Sequence, residues 1–285
     1  MSSADHLASP PRHLVTGSYD AGVISAQEGS KLNQSVQKAI TLLRATATHP
    51  DGASVSALAR AAGLPRATAL RLIQTLELEG MLLRVPEADR VLLGPELIRL
   101  AREVDLGTVL RELAAARLGE LSEALRETVT LSVAAPDGGL DLAHQVDGPQ
   151  HLVPRSWVGQ RFPLHASSSG KLLLATFDDE RLERFLHEPL ERLAPATITT
   201  PRALRRELGC VREQGCAATI DEMEEGLAGV SVGIFNETGA LLGAINVSGL
   251  SQRLDEAARR RAVERTRTVA AELESALRRG AHDAG

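Results

Sequence analysis

The sequence predicts an α+β chain in three parts. A small helical module closed by a hairpin leads through a helical connector into a larger module on a mostly antiparallel sheet. Three observations carry this. Apolar residues recur at helical spacing from Leu32 to Leu76, interrupted by glycine-bearing turns. At Thr128 the period switches to two. The alternating runs that follow are split at Pro136-Asp137-Gly138-Gly139 and at Asn236-Glu237-Thr238-Gly239, turn sequences that join neighbouring strands antiparallel.

Residues 1–30, rich in Ser, Ala and Gly with no sustained period, read as a mobile tail. Leu32, Val36, Ile40 and Leu43 then predict a helix over 31–47, ended by His49, Pro50, Asp51 and Gly52. Ser54 suits the cap of a second helix that Gly63 closes. A third runs from Pro65 to Gly80, and "MLLRV" and "RVLLG" around "PEADR" form a hairpin. Residues 31–94 therefore read as a helix-turn-helix with a wing. Leu97, Leu100, Ala101 and Val104, then Leu106, Leu110, Leu113 and Leu121, give the connector over 95–126, with a break expected at Gly107.

From residue 127 to 280 the pattern is hairpin, loop, helices, hairpin and a closing helix. Pro201 fits a first helical position and Ser167 to Ser169 precede a helix. Such a mixture implies a separate α+β domain.

The whole chain, 285 residues with 43% hydrophobic content and net charge -5, is ordinary. It points neither to disorder nor to a protein that coats nucleic acid. Charge is uneven, however. Residues 31–94 carry a net +3 while 95–285 carry -6. Cys210 and Cys216 give neither a disulfide scaffold nor a paired zinc motif. No apolar run approaches the ~20 residues of a membrane span, and the start "MSSADHLASP" is no secretory signal. A cytoplasmic protein without membrane partner, cofactor or metal is expected.

A helix that enters a DNA groove needs a rigid seat, a short turn and polar residues at its start. Leu58, Leu64, Leu72 and Leu76 form the seat. Arg66 and Arg71 suit guanine or phosphate, and Thr68 suits phosphate or a thymine methyl. The candidate DNA-contacting set is Ser54, Pro65, Arg66, Ala67, Thr68 and Arg71, with Arg84 and Arg90 of the wing holding flanking backbone. The competing reading is a helical bundle whose basic face is solvated and serves protein contacts.

With these residues in view, the chain resembles the IclR-type family of bacterial transcriptional regulators from about residue 31 onward. "SVSALARAAGLPRATALRLIQTLELEGML" carries the N-terminal likeness. "VGQRFPLHASSSGKLLLA" and "IDEMEEGLAGVSVGIFNETGALLGAINVSG" carry the more specific C-terminal one. The resemblance implies a winged helix-turn-helix, a helical linker and a GAF/PAS-like effector-binding domain. It implies a homodimer or dimer of dimers on double-stranded, palindromic operator DNA. It also implies a small organic acid effector, aromatic acids included, and action as a repressor or an activator; repressor is the expectation taken here.

By motif, the resemblance puts the effector site on Ser168 and Ser169, on Thr219 to Asp221, on Gly229, and on Asn246 and Ser248. The residues alone leave two alternatives open. The serines make either an anion site or simple caps. Asn246 and Ser248, sharing a face with Ala244, make either a ligand wall or an exposed sheet face. Where many members carry Cys, Gly229 stands, beside Ala228. The expectation is a roomier, blander cavity and an effector larger or more apolar than a two- or three-carbon acid.

An enzyme is not expected. His165 is beside the serines in sequence, no G-x-S-x-G elbow exists, and His144, His151 and His165 lack metal-ligand spacing. Trp157 and Phe162 read as pocket rim or core. The alternative function is a small-molecule enzyme or sensor fused to a protein-binding helical module.

Overall fold

The computed structural model describes residues 32–135, 137–149 and 163–282. The segment read as a tail, together with His151, Trp157 and Phe162, lies outside them. The chain divides into two compact units, Met1–Pro95 and Glu96–Gly285.

In the first unit, α1 (Gln34–Ala47), α2 (Val55–Ala61) and α3 (Arg66–Leu78) precede a hairpin of β1 (Leu82–Val85) and β2 (Arg90–Leu93). Asn33 caps α1 and Ser54 caps α2. The α2–α3 turn works because Gly63 takes φ 64°, open to glycine without strain. An isolated bridge from Ala53 to Val91 adds a short third strand to the wing. Leu42, Leu58, Ala69, Ile73, Leu82 and Val91 form the core. Leu58 is in the expected seat, while Leu64, Leu72 and Leu76 pack only partly against it. The predicted stripe on α1 differs more. Leu32, Val36 and Ile40 are 61%, 54% and 42% exposed. The fully buried residues of α1 are Leu42 and Thr46, both in the second half of the helix.

The second unit opens with α4 (Glu96–Arg102) and α5 (Leu106–Leu125). The break falls at residues 103–105, where Asp105 caps α5; Gly107 is already inside the helix. Nor does the connector stand apart. Leu110, Ala114, Leu118 and Leu121 of α5 are in the core of this unit.

There follow β3 (Thr128–Ala134), β4 (Leu140–Val146), α6 (Ser168–Ala175), α7 (Asp179–His187), α8 (Pro201–Gln214), β5 (Cys216–Ile220), β6 (Leu227–Phe235), β7 (Leu241–Leu250) and α9 (Glu256–His282). The five strands order as β4-β3-β7-β6-β5 and every pairing is antiparallel. Edge strand β5 has no strong alternation and was not foreseen. One sheet face presents Val129, Leu131, Val230, Val232, Ile245 and Val247 to α5 and α9. The opposite face carries Thr130, Ser132, Gly229, Ser231, Asn246 and Ser248, and α6 lies over it. This face positions the second candidate site.

Candidate functional site

The first candidate is the start of α3. Among the described residues, seven helices, α1, α2, α5, α6, α7, α8 and α9, have a side-chain oxygen accepting from a first-turn N–H. Helix α3 has none, since its N-cap is Pro65. Its first turn therefore presents uncapped N–H groups with the positive end of the helix dipole behind them and no acidic residue beside them. Pro65, Arg66, Ala67 and Arg71 are exposed and Thr68 is half-buried. Arg66 is steadied by Ser56, to whose Oγ its Nε donates at 3.0 Å. Ser54 is occupied as a cap, accepting from the Ala57 N–H at 3.2 Å.

The two wing arginines differ from each other. Arg84 forms a two-pronged pair with Glu77 of α3, at 2.8 and 3.3 Å. That hydrogen bond holds the guanidinium more firmly protonated while cancelling much of its outward charge. Arg90 donates to the Asp51 carbonyl oxygen at 3.0 Å but stays exposed. A groove between α1 and α3 gathers Ser35, Lys38, Thr68, Arg71, Gln74 and Thr75. Lys38 and Gln74 were not singled out from sequence, though Gln74 follows Arg71 by three residues and so shares its face.

The second candidate is a cavity between α6 and the polar sheet face. It is lined by Thr130, Ser132, Ser167, Ser168, Ser169, Thr219, Met223, Leu227, Ala228, Gly229, Asn246 and Ser248, and holds about 50 Å³ of water-accessible space. The structure brings together Ser168, Ser169, Thr219, Gly229, Asn246 and Ser248 as expected. Asp221 is not in the lining. Its φ is 56° and its Oδ1 accepts from the Gly226 N–H at 2.8 Å, so its carboxylate closes a loop instead.

The cavity is small and mixed in character. A Cβ on Gly229 would stand 3.1 Å from Asn246 Oδ1, 3.4 Å from Ser168 Oγ and 3.5 Å from Thr219 Oγ1, so glycine leaves little free space. Seven hydroxyl residues and one amide share the described lining with Met223, Leu227, Ala228 and Gly229, and no charged side chain is part of that lining.

The serines divide between two roles in the structure. Ser167 caps α6 through the Gly170 N–H at 3.2 Å. Ser168 lies 2.8 Å from Ser231 Oγ and donates to Asn246 Oδ1 at 2.9 Å; Ser169 lies 2.9 Å from Ser231. Ser231 in turn reaches Asn246 Oδ1 at 3.2 Å, and Asn246 Nδ2 donates to Thr130 at 3.4 Å. Each hydroxyl has one proton. The protons of Ser168, Ser169 and Ser231 are shared among these three hydroxyls and Asn246 Oδ1. The hydroxyl protons of Thr130, Ser132, Thr219 and Ser248 have no such acceptor in this network. Ser231, Thr130 and Ser132 were missed, although Thr130 and Ser132 are a polar pair two apart on an apolar strand, the same signal that marked Asn246 and Ser248.

His165 is buried with Nε2 2.8 Å from the Glu191 carbonyl oxygen, so that nitrogen faces a backbone acceptor. Behind the cavity, Lys171 is fully buried. Its Nζ donates to Glu222 Oε1 at 2.7 Å, Glu207 Oε1 at 3.1 Å and the Ala218 carbonyl at 3.2 Å. Burial pushes the Glu222 carboxyl up, against the pull of Lys171.

Comparison with known proteins joins the two regions. The family described as "IclR helix-turn-helix domain" matches residues 35–86, and "Bacterial transcriptional regulator IclR C-terminal" matches 106–275. The HTH-type transcriptional regulator Rv1719 of Mycobacterium tuberculosis is 37% identical over 77% of this chain and 83% of its own length. The transcriptional repressor IclR of Escherichia coli is 27% identical over 78% and 82%. An IclR homolog of Microbacterium hydrocarbonoxydans, solved in complex with 4-hydroxybenzoate, has TM-score 0.56 and 29% identity over 86% of this chain and 99% of that one.

Proposed function

Because this chain belongs to the IclR family of bacterial transcriptional regulators, we propose that it is a ligand-responsive regulator. Residues 31–94 would hold duplex operator DNA, 95–126 would link, and 127–280 would sense a small organic acid. That it is a transcriptional regulator with a DNA-binding helix-turn-helix, and not an enzyme, comes with family membership.

The observation that carries the DNA reading is the uncapped, exposed start of α3 between Arg66 and Arg71. First-turn N–H groups suit phosphate, while Arg66, Thr68 and Arg71 reach base edges or backbone. Arg90 holds flanking phosphate, and Arg84 stiffens the wing through Glu77. For the effector, unspent hydroxyl protons and the start of α6 suit a carboxylate. The 4-hydroxybenzoate held by the Microbacterium hydrocarbonoxydans homolog supports an organic acid. The ligand must favour one of two arrangements of the protein to change its grip on DNA.

A homodimer fits the exposed apolar residues of each unit. These are Leu32, Val36 and Ile40 in the first, and Ile98, Leu100, Val104, Val109 and Leu113 in the second. We read the outcome of DNA binding as repression in the cytoplasm. No helix of the described residues is long and apolar enough to cross a membrane.

A gel shift on the gene's own upstream duplex, with and without 4-hydroxybenzoate, pyruvate and glyoxylate, tests the reading. A shift that one acid changes supports it. No shift on that duplex overturns it.

A further inference from the structure

The cavity holds about 50 Å³ of water-accessible space. One water takes roughly 10–15 Å³ of such space, so only a few waters fit. An organic acid larger than this gains room if a wall yields. Most walls are fixed. Strands β3, β7 and β6 are interior to the sheet, and α6 is buried along almost its whole length. Of the described lining residues, only Ser167 and Met223 lie outside helix and strand, and Ser167 is pinned as a cap.

Met223 belongs to the segment Asp221–Gly226. Both ends take left-handed backbone, φ 56° at Asp221 and 84° at Gly226. The segment closes on itself, through the Asp221 N–H to the Leu227 carbonyl and the Gly226 N–H to the Asp221 carboxylate, both 2.8 Å. Outside itself it is tied, among the described residues, at two residues: at its left-handed end the Gly226 carbonyl accepts from the Ser251 N–H at 2.8 Å, and Glu222 makes the other ties. Glu222 gives its side chain to Lys171 of α6 at 2.7 Å and its carbonyl to the Thr197 hydroxyl at 2.6 Å. The side-chain tie is not a saturated one. Lys171 faces two carboxylates, Glu207 and Glu222, and Glu222 Oε2 is buried with no hydrogen-bond partner among the described residues. A buried site of one cation and two carboxylates, with one oxygen unsatisfied, is held less firmly than a matched pair.

We propose that segment 221–226 is the movable wall of the cavity and that Lys171 and Glu222 are positioning residues that latch it to α6. Effector entry breaks or lengthens the Lys171–Glu222 contact and swings Met223 outward about the left-handed ends. Lys171 keeps Glu207 and the Ala218 carbonyl as partners while the latch is open, so no ammonium is stranded. The proposal rests on the reading of the cavity as the effector site.

Hydrogen–deuterium exchange on the full chain, without ligand, tests the latch separately from that reading. Peptides spanning 219–228 exchange about tenfold faster in Glu222→Leu than in the wild type, Glu222→Gln falls between, and peptides from β3 and β7 are unchanged. Glu207→Gln, at a carboxylate one-third exposed, leaves 219–228 near the wild-type rate. Unchanged protection of 219–228 in Glu222→Leu overturns the proposal. So does uniform loss across the sheet, or equal loosening by Glu207→Gln. Calorimetric titration with 4-hydroxybenzoate on the same variants provides the second arm. Weaker heat in the wild type than in Glu222→Gln supports the latch. No heat in any of them strikes the choice of effector, and the exchange result still decides the latch.

Discussion

Helices α3 and α6 begin alike in sequence and end up opposite in the fold. Each carries a hydroxyl residue in its first turn, Thr68 in one and Ser168 in the other, and a cation within the first two turns, Arg66 and Arg71 in one and Lys171 in the other. The start of α3 is exposed, uncapped and rich in arginine whose charge faces solvent. The start of α6 is capped by Ser167 and buried, its hydroxyls are spent on Ser231 and Asn246, and its lysine is enclosed by two glutamates. Positive dipole ends of the same kind thus serve different partners. The open one can meet a long polyanion. The closed one can meet only what its walls admit.

Substitutions should separate the two starts, stability being lost at α6 and DNA affinity at α3. The largest effect is expected from Lys171→Met. It leaves Glu222 buried without its cation, and urea melts at neutral pH should show a loss of about 3–5 kcal/mol. A loss under about 1 kcal/mol would mean that the buried charge is not what holds α6. The same cluster gives a pH dependence. Burial raises the folded Glu222 carboxyl, so the folded chain binds this proton more readily than the unfolded chain. Its contribution to stability is therefore present at low pH and is lost as pH rises through the folded value. Relative to Glu222→Gln, the wild type should gain stability as pH falls toward the ordinary carboxylate range. A flat difference would contradict the assignment.

Next in size, Arg71→Ala should cost about 1–3 kcal/mol of DNA affinity and leave the urea midpoint nearly unchanged. If it reads a base, discrimination between matched and scrambled operators falls; if it holds phosphate, both weaken evenly. The two caps then make a matched pair. Ser167→Ala should destabilise the chain by about 1 kcal/mol. Pro65→Ser supplies α3 with the cap it lacks, so it should weaken DNA binding severalfold by competing for the first-turn N–H groups, with little change in stability. Tighter DNA binding by Pro65→Ser would break the comparison. The smallest effect is expected at Arg84, already paired with Glu77: Arg84→Ala should change DNA affinity by less than about 0.5 kcal/mol.

Much of the architecture was legible because local signals and tertiary packing agree. Ser54 and Pro201 are where cap and first-position chemistry put them, and both hairpins of the second unit turn at their glycine-bearing sequences. The α1 stripe was legible but assigned to the wrong neighbour. Periodicity shows that Leu32, Val36 and Ile40 share a face; it cannot show that Leu42 and Thr46 are the fully buried positions, with Leu43 and Ala45 packed partly against the core of the unit. Asp221 was misplaced because sequence proximity to Thr219 does not reveal a left-handed backbone that turns the carboxylate into its own loop. Ser231 and Lys171 needed the sheet register and the α6 packing, which bring together residues more than 30 apart in the chain.

The central claim is that the exposed start of α3 grips DNA phosphate and bases. Its most direct test is fluorescence anisotropy of the gene's upstream duplex against the full chain across a series of salt concentrations. The account predicts that log affinity falls steeply and linearly with log salt, by roughly 0.9 per phosphate neutralised, and that Arg66→Ala/Arg71→Ala flattens the slope by about one to two. A flat line for the wild type, or a slope the double substitution leaves untouched, would contradict it.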